Sequence, residues 1–214
     1  MAIPRPGSPL RACLLSGGES RRMGCDKALL SHPAGGTWLE QSLQLLLAVN
    51  LPVTVFSRHL RHLELTEHLT VQRSSERADW PGAPAAAGLN AIAEPPPWEG
   101  PLLALHRLMT HYPDQRLLLC PVDMPCLSRD AVLGLLRAGQ ANPEAIHLAH
   151  DGQRLQPLLG IYPSDGRQRT SLATAISGGE RRLQAWLAGQ AYREVRLDPE
   201  ALRNVNRPMD SRAH

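Results

Sequence analysis

A short apolar run that breaks on glycine limits what this chain can become. Cys13, Leu14 and Leu15 stop at Ser16-Gly17-Gly18, and a second apolar run opens at Ala28-Leu29-Leu30. Between them stand Arg21, Arg22, Met23, Gly24, Asp26 and Lys27. This order describes a buried strand running into a glycine-rich loop at the edge of a sheet. Glycine carries no side chain, so backbone N–H groups can approach a phosphate closely. Arg21, Arg22 and Lys27 place three cations within seven positions. Arginine forks match phosphate oxygens in pairs, and lysine acts as a compact point charge. A Gly-Gly after a strand is by itself an ordinary turn, and paired arginines are ordinary surface. The whole string reads as a polyphosphate cradle. It is neither a Walker A loop, for want of Gly-Lys-Ser/Thr, nor a GxGxxG dinucleotide fingerprint.

The pattern downstream supplies the rest of an α/β sheet. From Thr37 to Val49, Leu39, Leu43, Leu46 and Leu47 recur at helical spacing, with Thr37 as N-cap, Glu40 three residues on and Pro52 as terminator. Val53-Thr54-Val55-Phe56 is short and β-branched, hence a strand. Strand, helix, strand predicts parallel pairing through a right-handed crossover. A second helix is expected over 58–68, with His59, His62 and His68 on solvated surface. Residues 74–97, rich in alanine, proline and charge, read as a long irregular excursion with a short helix near 86–93. Gly100-Pro101 opens a helix to His111, since proline suits a first helical turn.

Arg116 to Cys120 is a continuous apolar run, as a central parallel strand buried on both faces requires. It ends in Pro121-Val122-Asp123-Met124-Pro125. Open α/β sheets bind ligands at the carboxyl ends of their strands. A lone Asp here would be a turn residue; with a phosphate cradle upstream, Asp123 becomes a candidate Mg²⁺ ligand, because Mg²⁺ takes one or two carboxylates plus substrate phosphates. Ser128 caps a helix to about Ala138. Residues 145–149 and 155–162 form a hairpin around Asp151-Gly152. A helix around Leu183, Trp186 and Leu187 and a last strand over 193–197 follow.

Composition narrows the function. With 214 residues and 43% hydrophobic content, the chain suits one domain spanning 1–214. A net charge of +3 fits anionic small molecules and does not by itself indicate nucleic acid. Aromatics are only 4%, too few for a single-strand stacking platform. Cys13, Cys25, Cys120 and Cys126 form no CxxC pair, so neither a zinc site nor a disulfide framework is expected. With no secretory core and no stretch near the roughly 20 apolar residues of a membrane span, the expectation is a cytoplasmic protein with reduced thiols.

The string Leu15, Gly17, Gly18, Ser20, Arg22, Met23, Gly24, Asp26, Lys27, Leu29, Leu30 resembles the signature LxGGxSxRMGxDKxLL of the molybdenum cofactor guanylyltransferase family, the MobA-like nucleotidyltransferases. The Pro121–Pro125 segment is similar to the second family motif. His150-Asp151-Gly152 onward resembles HDGxRxxP, with Gln156 where histidine is commoner, and Asn204 to Asp210 matches the closing NxNxPxD. The resemblance runs from about Leu14 to Asp210. It implies a Rossmann-like three-layer α/β fold with a mostly parallel central sheet. It also implies GMP transfer from GTP to molybdenum-molybdopterin, with release of pyrophosphate. Asp123 would hold Mg²⁺. Arg22 and Lys27 would offset phosphate charge, and Leu15, Ser16 and Gly17 would offer backbone contacts. Glu94, rather than Glu99, would be the nucleotide-side acid, and Arg182, Asn204 and Asn206 would line the pterin half. Molybdoenzymes or their chaperones would be onward partners, with no nucleic acid or membrane involved. Two alternatives stand beside this. One is the same fold with CTP and molybdopterin, or with a nucleotide and a sugar or polyol phosphate. The other is a non-catalytic GTP- or cofactor-binding carrier, to which Lys27 and Asp123 are superfluous.

Overall fold

The computed structural model describes residues 8–18, 25–78 and 88–204. Seven strands form one sheet: β1 (Leu10–Leu15), β2 (Val53–Ser57), β3 (Leu89–Ala93), β4 (Arg116–Pro121), β5 (Ile146–His150), β6 (Leu155–Pro163) and β7 (Tyr192–Arg196). Their order across the sheet is β3-β2-β1-β4-β6-β5-β7. All neighbours are parallel except at β6, which runs against both β4 and β5. From β1 the chain moves outward to β2 and β3, then returns to the other side of β1 as β4. Such a reversal leaves a crevice beyond the carboxyl ends of the two central strands.

Helices cover both faces. On one lie α1 (Trp38–Ala48), α2 (Leu60–Ala78) and α4 (Arg129–Ala141); on the other lie α3 (Pro101–His111), α5 (Gly166–Ser177) and α6 (Leu183–Leu187). Strand alternation divides the core between them. Ala12 and Leu14 of β1 pack with Leu39, Leu43 and Val132, whereas Cys13 packs with Leu105, Leu108 and Tyr162. All six residues of β4 are buried, as its apolar run predicts. Truncating Leu118 or Leu119 to alanine at such sites costs about 2–5 kcal/mol. The α1 start is the expected one: Thr37 accepts from Glu40 N, and Glu40 caps Thr37 N in return. The hairpin also forms as expected, with a register shift between Leu148 and Ala149.

The expectation for 58–97 needs correction. The second helix does not stop near His68 but continues to Ala78. The described part of the anticipated short helix over 86–93 is instead β3, paired in parallel with β2 from Val53↔Leu89 to Ser57↔Ala93. Alanine at two of its five positions gives β3 little intrinsic strand preference. The ladder from β2 and the cover from α2 decide its conformation. No described helix is long and apolar enough to cross a membrane.

Candidate functional site

A cavity of about 420 Å³ opens at the carboxyl ends of β1, β2 and β4, where the sheet order reverses. Backbone bonds tie the three ends together. Ser16 N donates to Phe56 O at 3.2 Å, and Val122 N donates to Leu15 O at 3.1 Å. Leu15, Ser16 and Gly17 therefore leave β1 directly into the cavity wall. Gly17 is required there by close approach: a Cβ at this position would stand 2.9 Å from Glu94 Oε2. Gly18 lies at the exposed rim.

Asp26 shapes the return of the loop. Its Oδ1 accepts from Ala28 N at 3.1 Å and so caps a 3-10 turn over Lys27–Leu29. That turn aims Lys27 across the cavity. Its Nζ lies 3.4 Å from Asp123 Oδ2, joining two of the sequence candidates separated by 96 positions. Asp123 sits just past β4 and keeps 29% of its side chain exposed. Both groups line the cavity. Asp123 also adds to burial in pushing the Cys120 thiol up to about 12, which leaves that cysteine inert.

Glu94 forms the opposite wall. Its backbone N donates to Ser57 O at 2.8 Å, extending β3 beside the end of β2. Burial raises the Glu94 pKa above the ordinary carboxylate value, while Arg107, 3.4 Å away, and Arg58 oppose the shift. Glu99, the other acidic candidate, instead pairs with Arg181 at 2.6 Å. The carbonyl of Glu94 accepts from Trp98 Nε1 at 2.9 Å, and the Trp98 ring faces the Arg58 guanidinium at 5.2 Å. Arg58 and Trp98 both reach the cavity, and sequence reasoning passed over them. An arginine two residues past a predicted strand end was the available signal for Arg58. Nothing in composition singles out Trp98.

His62 overturns an expectation. Rather than lying on solvated helix surface, it is fully buried. Its Nε2 is 2.8 Å from Asp26 Oδ2, and its Nδ1 is 2.9 Å from Ser57 Oγ and 3.1 Å from Ser16 Oγ. Burial lowers its pKa, against the pull of the Asp26 charge. His59 is half-buried, with Nε2 3.1 Å from Gly18 O. Only His68 is exposed as expected. The missed signal was spacing: His62 and Thr66 fall one turn apart on the face between Leu65 and Leu69, and both are buried.

The remaining candidates divide. Asn204 donates to Gln156 Oε1 at 3.3 Å, and Gln156 donates to Asp151 Oδ2 at 3.0 Å, so the closing segment reaches the β5–β6 hairpin. Arg182 is 83% exposed, bonded to Glu180 at 3.4 Å and outside the cavity wall. Arg22 and Asn206 lie outside the described residues. Among the described residues no group of three or more His, Cys, Asp or Glu side chains could hold a metal ion. Asp123, partly exposed at the wall of this cavity, nonetheless fits Mg²⁺, which completes its shell with water and substrate oxygens.

A family model described as the MobA-like NTP transferase domain matches residues 12–195. The chain belongs to the MobA-like NTP transferase family. The resemblance carried by its motifs therefore holds. A protein of Rhodopirellula baltica named probable molybdenum cofactor guanylyltransferase is 35% identical over 209 residues, covering 94% of this MobA-like chain and 90% of its own length. Among solved structures, the molybdopterin-guanine dinucleotide biosynthesis protein A of Archaeoglobus fulgidus superposes with a TM-score of 0.63 at 18% identity, covering 94% of this chain and 95% of that one. A Mycobacterium tuberculosis protein in complex with manganese superposes with a TM-score of 0.55 at 14% identity, covering 89% of each chain. Both structures share the three-layer fold of this MobA-like chain.

Proposed function

We propose that residues 1–214 act as a single nucleotidyltransferase domain that moves GMP from GTP to the terminal phosphate of molybdenum-molybdopterin. A phosphate oxygen of the pterin attacks the α-phosphorus, the α–β phosphoanhydride bond breaks, and pyrophosphate leaves. The observation that carries the reaction class is the Lys27–Asp123 pair, 3.4 Å apart between a glycine turn and the end of a central strand. The choice of GTP and pterin is supported by the name of the 35%-identical relative.

Each residue then has a task. Asp123 holds Mg²⁺, which when bound neutralises charge between nucleotide oxygens. Lys27 parts from Asp123 to meet the charge that grows on the leaving pyrophosphate. Arg22 adds to it, and such preorganised charge is worth most where water is excluded. The backbone amide of Gly17 lies against the phosphates, Ser16 presents its hydroxyl to the cavity because its own N–H is held by Phe56 O, and Leu15 lies against the base. Glu94 accepts hydrogen bonds from the nucleoside. Asn204, Asn206 and Arg182 serve the pterin side, with Asn204 held beside the hairpin by Gln156. The test mixes protein, Mg²⁺, molybdenum-molybdopterin and each nucleotide in turn, and follows pyrophosphate. GTP should give release and the tightest calorimetric binding. Equal binding of all four nucleotides would remove the guanylyl assignment. Tight binding without pyrophosphate would make the chain a carrier.

A further inference from the structure

The buried histidine is the strongest feature that the proposed chemistry leaves unused. Its three polar partners come from three different elements: Ser16 after β1, Ser57 ending β2, and Asp26 before the 3-10 turn. Two of those partners, Ser16 and Asp26, also line the cavity. A fully buried imidazole costs free energy unless its nitrogens are satisfied. Here the satisfaction is directional. The Asp26 carboxylate can only accept, so His62 Nε2 carries the proton. In the neutral ring Nδ1 is then an acceptor, facing the hydroxyls of Ser16 and Ser57. Burial lowers the ring's pKa and so favours this neutral form.

We propose that His62 is the positioning residue of the phosphate-binding loop, clamping Asp26 through Nε2–H and orienting the Ser16 hydroxyl through Nδ1. The inference rests on the nucleotide-site reading given above. The clamp acts through a short chain of contacts. With Oδ2 on His62, Asp26 keeps Oδ1 on Ala28 N, so the turn forms and Lys27 points at Asp123. With its proton given to Nδ1, the Ser16 hydroxyl has its lone pairs left over for donors in the cavity. Close by, His59 Nε2–H donates to Gly18 O, so the start of α2 grips both the departing and the returning arm of the loop.

The test has one arm free of any nucleotide. Nitrogen NMR of histidine-labelled protein should show His62 protonated on Nε2 in the wild type. In Asp26→Asn the amide should reverse the clamp and move the proton to Nδ1. An Nδ1 proton in the wild type overturns the proposal. The second arm measures Mg·GTP binding and single-turnover rate. His62→Leu keeps the volume and removes the bonds, and should slow turnover about tenfold, the scale of one lost network hydrogen bond. His62→Gln, with a donor and an acceptor, should recover most of that. In an Asp26→Ala background the His62→Leu loss should shrink, because the contact between the two side chains is then already gone. Should His62→Leu not fold, His62→Gln in the two backgrounds answers the same question. Undiminished turnover, or losses that add in full, overturns the clamp. If the wild type binds no Mg·nucleotide, the site reading fails while the NMR arm still decides the clamp.

Discussion

The two ends of the central strands carry polar networks of similar size and opposite character. At the amino end Thr54 of β2 and Asn90 of β3 pair directly across the ladder, with Thr54 Oγ1 2.8 Å from Asn90 Oδ1. Tyr112, after α3, joins both, at 2.8 Å from Thr54 and 3.2 Å from Asn90. Arg11 of β1 bonds Thr54 at 3.2 Å and rests 4.3 Å over the Tyr112 ring. Every partner there is another member of the same set, and the one charge lies on an aromatic face. At the carboxyl end Asp26, Lys27, Glu94 and Asp123 face a cavity. The lesson is that polar groups alone do not mark a site; polar groups whose remaining valences point into open space do.

Substitutions at the two ends should separate activity from stability. The largest effect is expected for Asp123→Asn. Asparagine keeps the size and one oxygen but not the charge, so turnover should fall about 10³-fold, the upper range for one preorganised charge contact, with an unchanged melting temperature. Product formation followed against Mg²⁺ concentration checks it, and an unchanged profile would leave Asp123 as a mere turn residue. Lys27→Ala should cost about 10²-fold in rate with native circular dichroism; full activity would place Lys27 among ordinary surface lysines. Gly17→Ala should weaken nucleotide binding about tenfold by calorimetry, since its Cβ would stand 2.9 Å from Glu94 Oε2 and force that carboxylate aside. At the amino end the pattern should invert. Tyr112→Phe removes a hydroxyl with two partners and should cost about 1 kcal/mol in denaturant unfolding, with turnover untouched. A rate loss there would erase the distinction between the ends.

The smallest expected effect is shared. His62 at the carboxyl end and His147 at the amino end of β5 both have pKa values lowered by burial from an ordinary 6.5. Below that value the unfolded rings take up protons that the folded rings refuse. Their stabilising contribution is therefore complete above about 6.5 and is lost as the pH falls towards the folded values. Melting curves across this range should decline on acidification, less steeply in His62→Gln. A flat profile in the wild type would show that these rings titrate alike in both states.

Local chemistry explains what the sequence disclosed. The glycine break after Leu15, the Thr37–Glu40 cap, the apolar run of β4 and the Asp151-Gly152 turn each announce a conformation within a few residues. They sufficed for a mostly parallel α/β sheet and for Lys27 and Asp123 as candidates. What stayed hidden depends on distant partners. β3 exists because β2 offers it a ladder. His62 is buried because α2 lies against the sheet with that face inward, and polar His62 and Thr66 interrupt the stripe that Leu65 and Leu69 begin, leaving only their spacing as a trace. Arg58 and Trp98 meet only once β2 and the segment after β3 are side by side.

The reversed strand has a consequence for how such a site can diversify. Most of the cavity is built where strands end and loops begin, and loops accept insertions readily. β6 contributes differently: Leu158 reaches the cavity from within the strand, next to the register shift and two residues before Gly160. There a Cβ on residue 160 would stand 2.6 Å from His147 O. Gly160 pairs with Leu119 of β4 and Leu148 of β5, so the strand beyond Leu158 cannot shift without breaking pairing on both sides. Lineages descending from such a scaffold would therefore change nucleotide by rewriting the segment between β3 and α3, which carries Glu94, while the wall beside β6 kept its shape.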